Sequence, residues 1–516
     1  VLFVNPVIRE EDDPRHVPYG MALLAAIVMR EGHLVQVFDA NAWRVSDAVL
    51  GQVLKADRWD VVALGGITTA YRSIKHVVKL AKELAPQALV VAGGGFLTSM
   101  PHDIMRFLPQ VDVGVVGEAF VSFPALLRAV DAQRRDWAAI PGLVWRDAEG
   151  RSRLNAEQPL LDDIDGLPYP AWDLFPLDVY FKNSMALYSE EGMLARRRLD
   201  INASYGCSLI CRFCFHLGIA GDLQQVERGG ERDVTFTHKR LIRYHSPRYV
   251  IDLVKYARQR FGIDFVGFLD ENLMTMHQSS GKTWLTDIAR LWIEEGLQPQ
   301  CVRDGVSHDP DRCQGVHWGG TSHATLCNPE VLRAIKQAGC SHLVYGYESF
   351  SPRVMKTIGK GATPEANARS LRWTLEAGIR PIPNQMMGFP DEDFDSLRDN
   401  VIAWNQLGLQ VKPFFATPYP GTEWYQQYKG RILEQYGGDL EAFLLDVGDA
   451  TRVTAVISKK FNAVELYGLR ELMVLRDLRR LEEYEKEWNR LHPTDPLAPE
   501  KDAWARRFGD TVRRIS

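Results

Sequence analysis

The sequence predicts an α/β protein in three parts: an amino-terminal doubly wound (Rossmann-like) parallel sheet, a partial (β/α)6 barrel and a helical carboxyl-terminal region. Three observations support this. Short apolar runs alternate with amphipathic stretches from the first residue, the alternation resumes after a segment rich in Pro and Asp, and helical periodicity takes over beyond Gly430. Parallel strands covered on both faces read as continuous apolar runs, which is the form these runs take. The boundaries follow as 1–155 for the sheet, 156–190 for a linker, 191–430 for the barrel and 431–516 for the helical region.

In the first part, strands are expected at 1–4, 34–38, 61–65, 88–92 and 113–116, with helices at 18–31, 71–84, 99–107 and 120–130. A doubly wound sheet binds its ligand beyond the carboxyl ends of its strands. There the sequence places Gly65, Gly66, Ile67, Thr68 and Thr69, then Gly93, Gly94, Gly95 and Phe96, then Gly117 and Glu118. Such loops admit a large flat ligand or a phosphate, or simply make tight turns, and the loops alone leave both readings open. No G-x-G-x-x-G follows the first run, which leads into Asn5 and Pro6, so a nicotinamide or flavin domain is disfavoured. Gly281-Lys282-Thr283 imitates the end of a phosphate loop, but Met276 stands where its first glycine belongs.

The linker carries Leu161-Asp162-Asp163-Ile164-Asp165 and Leu167-Pro168-Tyr169-Pro170. Barrel strands are expected at 198–204, 265–269, 317–320, 343–347, 382–387 and 413–416. Barrels carry chemistry at the carboxyl ends of their strands, which selects Asp270, Glu271, His323 and Tyr347 as candidates for substrate contact or proton transfer. The run 463–491 places leucines among many charges, as one helical stretch with a solvated charged face does.

The 516 residues carry 61 Lys and Arg against 66 Asp and Glu, a net charge of −5, which disfavours an electrostatic nucleic-acid binder. The longest apolar stretch, 21–29, is far short of the roughly 20 residues that span a bilayer. The expectation is a cytoplasmic protein with no membrane span and no nucleic-acid partner. Seven cysteines, three of them clustered, point to metal or redox chemistry rather than a disulfide framework.

That cluster is Cys207-x3-Cys211-x2-Cys214. Three thiolates on one short loop can hold three irons of a four-iron, four-sulfur cluster and leave the fourth open; zinc, with His216 as a fourth ligand, is the alternative. The spacing, with Phe213 before the last cysteine, resembles the radical S-adenosylmethionine (SAM) superfamily. The resemblance implies that the open iron chelates the amino and carboxylate groups of SAM, and that reduction cleaves SAM to methionine and a 5′-deoxyadenosyl radical. Tyr345-Gly346-Tyr347-Glu348-Ser349 is similar to the family's G-x-E-S segment, implying that Glu348 and Ser349 contact SAM. Met387-Gly388-Phe389-Pro390 is similar to its segment near the adenine, and Asn272 joins the implied cofactor set.

Taken with the first domain, the linker, Phe268-Leu269-Asp270-Glu271-Asn272 and Thr417-Pro418-Tyr419-Pro420-Gly421-Thr422, the order resembles the cobalamin-dependent radical SAM subfamily, which includes carbon methyltransferases and the anaerobic porphyrin-ring cyclase. This implies a 4Fe-4S cluster, SAM and cobalamin, the last held by Thr68, Thr69, Gly93, Gly94, Gly95, Phe96, Gly117 and Glu118. The nearest counterpart of a D-x-H-x-x-G motif, Asp39 to Arg44, has no histidine, so Tyr71 or Arg72 is expected toward the lower face of cobalt. An arginine common near the third barrel strand is replaced by Thr321-Ser322-His323-Ala324, which makes His323 a candidate partner for the SAM carboxylate. The insertion before that strand is expected to cap the substrate. Its Cys301, Cys313 and His317, with Cys327, either bind a second metal or are ordinary thiols and imidazole, and Cys340 is core.

The expected function is methyl transfer to a weakly activated carbon of a small molecule or natural-product intermediate, with an external low-potential electron donor. The alternatives are cyclisation or ring rearrangement without methyl transfer, and a non-catalytic iron-sulfur or zinc module.

Overall fold

The apolar runs become two parallel sheets. The computed structural model describes residues 1–183, 189–215, 224–228, 230–235 and 242–492. His216 and residues 493–516 of the expected helical region therefore lie outside the described residues. In the first sheet β1 (Leu2–Asn5), β2 (Gln36–Asp39), β3 (Val61–Gly65), β4 (Leu89–Gly93) and β5 (Val113–Val115) run parallel in the order β2-β1-β3-β4-β5. The order reverses between β1 and β3, which opens a crevice outside their carboxyl ends. Two further strands, β6 (Leu143–Arg146) and β7 (Ser152–Leu154), extend the sheet antiparallel and were not foreseen. They are short and follow one another through a turn, so they lack the strand-then-helix rhythm.

The linker is a bracket rather than a loose tether. Its Ala171 N–H donates to the Ala22 carbonyl at 2.9 Å, and its Tyr180 hydroxyl donates to Asp39 at 2.7 Å, both in the first domain. On the other side Asp165 meets His245 at 2.9 Å, while Trp172 is fully buried between the two parts.

The barrel opens with β8 (Arg198–Ile201). Short antiparallel pieces intervene, β9 (Ser204–Tyr205) with β12 (Arg243–Tyr244), and β10 (Gln224–Arg228) with β11 (Glu231–Thr235). Then come β13 (Phe265–Phe268), β14 (His317–Ser322), β15 (Cys340–Glu348), β16 (Arg380–Met387) and β17 (Phe414–Phe415). The six long-range partners lie in the order β8-β13-β14-β15-β16-β17, all parallel. The helices between them carry ordinary end signals. In Pro247–Phe261, Ser246 accepts from the Tyr249 N–H, Pro247 occupies the first turn and Gly262 closes the helix in the left-handed region (φ 67°).

The carboxyl-terminal part departs from the expected single run. Arg476 takes a left-handed conformation (φ 55°) and Asp477 caps a new start, so the run splits into Ala463–Leu475 and Leu478–Leu491. Its charged face is partly engaged: Arg398, on a barrel helix, pairs with Glu485, and the Trp488 indole donates to Glu465. Residues 447–462 are largely non-helical and return to the barrel, where the Phe415 N–H donates to the Ala450 carbonyl at 2.7 Å. The insertion precedes the amino end of β14, at the base of the barrel. It therefore cannot cap the substrate mouth, which corrects the expectation. No described helix is long and apolar enough to cross a membrane.

Candidate active site

The loop after β9 carries Cys207, Cys211 and Cys214, held from both sides. Arg212 N–H donates to the Ile358 carbonyl at 3.1 Å, and the Arg212 carbonyl accepts from Trp424 N–H at 3.2 Å. A Cβ on Gly359 would lie 3.2 Å from the Ile210 carbonyl, so glycine there lets the two segments close on each other. Phe213 packs on Trp424 with ring centroids 5.6 Å apart. Burial, then Glu271 and the two neighbouring thiols, push the Cys214 thiol pKa well up. Three thiols crowded beside a carboxylate suit a cationic iron cluster, which would offset their charge.

The three cysteines line a cavity of about 380 Å³ at the carboxyl ends of the barrel strands, together with Glu271, Asn272 and His323. Val344, Met386, Phe414 and Phe415 form an apolar wall, and Asn384, Thr417 and Tyr419 add polar groups. On this wall stands a buried ion pair, Glu348 with Lys360 at 2.6 Å. Burial disfavours the charge on Lys360, but Glu348 and Cys211 outweigh it and raise its pKa. Glu348 has φ 58°, a conformation that costs a non-glycine residue and persists only where its surroundings impose it. The constraint is visible: the Asn367 amide donates to the carbonyls of Tyr347 (3.1 Å) and Ser349 (3.3 Å), and Asn400 accepts from Phe350 N–H at 2.5 Å. A Cβ on Gly346 would lie 2.3 Å from the Glu348 carboxylate and 2.4 Å from the Lys360 ammonium, so only glycine leaves room for the pair.

Several expected residues do something else. In β15, Val344, Gly346 and Glu348 face the cavity, so Tyr347 points the other way. It is fully buried, stacked on Tyr345, and meets the Ser370 hydroxyl at 3.1 Å. The same parity puts Met386 and Asn384 on the cavity and Met387 in the core. Ser349 is buried and donates to Asn400 at 3.1 Å, supporting the turn behind Glu348. Gly388 (φ 82°) shapes a turn whose N–H donates to buried Glu392. Asp270 accepts from the Ala203 N–H at 3.0 Å and from the Ser204 hydroxyl, tying down the segment that leads to the cysteine loop. His323 borders the cavity, with Nδ1 2.8 Å from the Thr325 hydroxyl; burial, then the charge on Lys360, lowers its pKa to about 3. A neutral imidazole cannot serve as a cationic partner for a carboxylate. Lys360, which the sequence reading missed, is the one cation among the lining residues described. Its flanking Gly359 and Gly361 were the available signal.

The carboxyl edge of the first sheet faces this mouth. Arg9, after β1, pairs with Asp449 at 3.4 Å, beside cavity-lining Ala450, and Gly421 packs on Ser99 where a Cβ would lie 2.5 Å from its hydroxyl. At that edge the glycines mainly pack on one another: a Cβ on Gly65 would lie 2.8 Å from the Gly93 carbonyl, and one on Gly94 2.8 Å from Gly66. Gly95 starts a short helix, Phe96 is core, and Gly117 donates its N–H to the Thr98 hydroxyl at 3.0 Å. Glu118 is paired with buried Arg243, so it is committed to the domain contact. Tyr71 and Arg72 are likewise taken: the tyrosine hydroxyl donates to Glu441 at 2.6 Å and Arg72 to the Leu445 carbonyl at 2.7 Å, on the helix Leu440–Asp446. Their polar ends are thus engaged by that helix. By contrast the Thr68 and Thr69 hydroxyls are buried without a hydrogen-bond partner among the described residues, at the switch-point edge where a ligand belongs. These orphaned hydroxyls fit the amide-rich periphery of a corrinoid.

Residues 201–401 match the Radical SAM superfamily, and residues 7–127 match the B12 binding domain. The chain is 28% identical over 410 residues to an uncharacterized methyltransferase of Pyrococcus horikoshii, covering 79% of this chain and 78% of that one. It is 23% identical over 421 residues to an anaerobic magnesium-protoporphyrin IX monomethyl ester cyclase of Cereibacter sphaeroides, covering 80% of this chain and 61% of the cyclase. The fold is shared with the radical SAM methyltransferase TsrM of Kitasatospora setae, solved with cobalamin and a [4Fe-4S] cluster, at a TM-score of 0.62 and 18% identity over 84% of this chain and 78% of that one. Two matched domains in this order, meeting where the cysteine cavity and the switch-point edge face each other, place the chain in the cobalamin-dependent radical SAM enzymes, the family that includes carbon methyltransferases and ring cyclases.

Proposed function

We propose that this enzyme methylates a carbon atom of a small-molecule substrate held in the cavity at the barrel mouth. One observation carries the reading: the three-cysteine loop and the Glu348–Lys360 pair share a cavity whose rim, at Tyr419 and Ala450, adjoins the edge of the B12-binding sheet. When bound, the iron-sulfur cluster with SAM supplies a 5′-deoxyadenosyl radical, and cobalamin supplies the methyl group. The working division is 1–155 for cobalamin, 191–430 for the barrel, with 156–190 as bracket and 431–516 as support.

In this reading Cys207, Cys211 and Cys214 hold the cluster, with Phe213 covering the loop. Glu348, fixed by its 2.6 Å pairing with Lys360 and by the cramped turn, accepts hydrogen bonds from the polar groups of SAM. Asn272 and Asn384 offer amide groups to the same ligand, and Glu271 is the carboxylate that would hydrogen-bond and orient the substrate. The apolar wall excludes water from a radical reaction that water would not itself quench but that must be kept aligned. Thr68 and Thr69 bond to the corrinoid edge. The electron that this chemistry needs would come from an external low-potential donor in the cytoplasm.

The test is anaerobic reconstitution with iron, sulfide and cobalamin, followed by desalting and metal analysis, which should retain about four irons and one cobalamin per chain. With reductant and substrate, methylation produces S-adenosylhomocysteine alongside 5′-deoxyadenosine and a product heavier by about fourteen daltons. Deoxyadenosine with no added mass would instead select the cyclase-type reaction.

A further inference from the structure

We infer that Cys301, His308, Cys313 and His317 form a closed structural zinc site at the base of the barrel, separate from the mouth. Their four donor atoms all lie within 4.8 Å of one another, and among the described residues this is the one group of three or more His, Cys, Asp or Glu donors that does so. The Cys301 sulfur is 3.3 Å from His317 Nε2 and 3.6 Å from His308 Nδ1. Zinc bonds of about 2.3 Å to sulfur and 2.0 Å to nitrogen, arranged tetrahedrally, put neighbouring ligand atoms about 3.3–3.8 Å apart. The distances from the Cys301 sulfur to the two histidines fall in that range. Two thiolates with two imidazoles are a preferred set for zinc, and four protein ligands leave no position for water or substrate.

The surroundings are those of a ligand set. His317 Nδ1 faces the Gly339 carbonyl at 3.4 Å, which places the proton there and aims the Nε2 lone pair at the centre. The Cys313 sulfur accepts from the Cys301 N–H at 3.3 Å. The two imidazoles stand almost perpendicular, 85° apart with centroids 4.7 Å from each other, so they converge by their nitrogens rather than stacking. Cys301 and His317 are buried, and neither cysteine forms a disulfide.

The loop also has a reason to need an ion. Residues 302–315 read VRDGVSHDPDRCQG, with Val306 exposed, so almost no apolar surface holds them. Their ends are closed by Gln300 N–H donating to the Gln314 carbonyl at 2.7 Å, and by Gly315 at φ 112°, where a Cβ would lie 2.6 Å from the Gln298 carbonyl. A small polar loop with no core is stabilised by a metal when its ligands are preformed. His317 begins β14, whose far end carries Ser322 on the cavity wall, so zinc at the base anchors a strand that shapes the mouth. Cys327 is no part of it, since it meets the Tyr345 hydroxyl at 3.5 Å.

The experiment uses the full chain with Cys207→Ala, Cys211→Ala and Cys214→Ala combined, so that no mouth cluster contributes metal. Metal analysis after purification should find about one zinc per chain, and Co²⁺ exchanged for it should show the absorption of a tetrahedral, thiolate-bound ion. Adding Cys313→Ser should lower zinc at least about tenfold, while adding Cys327→Ser should leave it unchanged. A chain that holds neither zinc nor Co²⁺, holds iron there instead, or is lighter by about two daltons from a Cys301–Cys313 disulfide, would overturn the assignment. If the Cys313→Ser chain does not fold, the count and the Co²⁺ spectrum on the triple variant still decide. The outcome is independent of the proposed methylation, because the mouth thiols are absent throughout.

Discussion

Two cysteine-bearing loops sit at opposite ends of one barrel and differ in what their donors face. At the base, four donors lie within 4.8 Å of one another; at the mouth, three thiols line a 380 Å³ cavity. A single ion needs ligands at touching distance, whereas a four-iron cluster stands between its thiolates, each on its own iron. Opening onto a cavity therefore separates the mouth loop from the base loop, although both begin from the same residue type. The supporting chemistry differs too. The base loop rests on backbone carbonyls, while the mouth carries a buried ion pair and a strained glutamate.

The largest effect should come from the mouth. Cys211→Ala should abolish reductive SAM cleavage and cluster iron while leaving the zinc of the base untouched, as read by 5′-deoxyadenosine and by metal analysis. Iron retained at full stoichiometry would break the comparison. Next, Lys360→Met leaves Glu348 buried without its counter-charge and should cost roughly 3–5 kcal/mol of stability in urea unfolding. Adding Glu348→Gln should recover most of that loss, because the two effects are coupled, while SAM binding stays weak. Gly346→Ala forces a Cβ into the same pair and should cost roughly 1–3 kcal/mol and raise the KM for SAM more than it lowers kcat.

The smallest effect is a pH dependence. Burial pushes Glu392 from its ordinary 4.5 to about 8, and in the same way moves Asp270 to about 6 and Asp399 to about 7. The folded chain thus prefers Glu392 protonated. Its contribution is fully present below pH 4.5 and is lost as pH rises through 8. Glu392→Gln should raise the melting temperature at pH 8 relative to that at pH 5, measured by thermal unfolding; an equal change at both pH values would remove this carboxylate from the account.

Much of the fold is legible along the chain because parallel strands and their helices announce themselves locally. The strand Val61–Gly65 and the helix Tyr71–Leu84 coincide with their expected bounds, and all six barrel runs became strands. The site was legible as segments rather than as side chains. Cys207, Cys211, Cys214, Glu271, Asn272, His323 and Glu348 do reach the cavity, as do neighbours such as Met386 that the reading passed over. Met387 and Tyr347 miss it by one residue, since alternate side chains of a strand face opposite sides and an apolar run buried on both faces hides which parity is inward.

What the sequence by itself determined was the order of the two α/β parts, the three-cysteine spacing and the glycine-rich strand ends, all set by contacts or patterns within a few tens of residues. What only the tertiary structure decided was convergence over distance. Tyr71 and Arg72 turned toward a helix some 370 positions away, and Glu118 found Arg243. Those pairings depend on where separate elements are brought by burying their apolar faces, and a one-dimensional pattern carries the faces but not the places they meet.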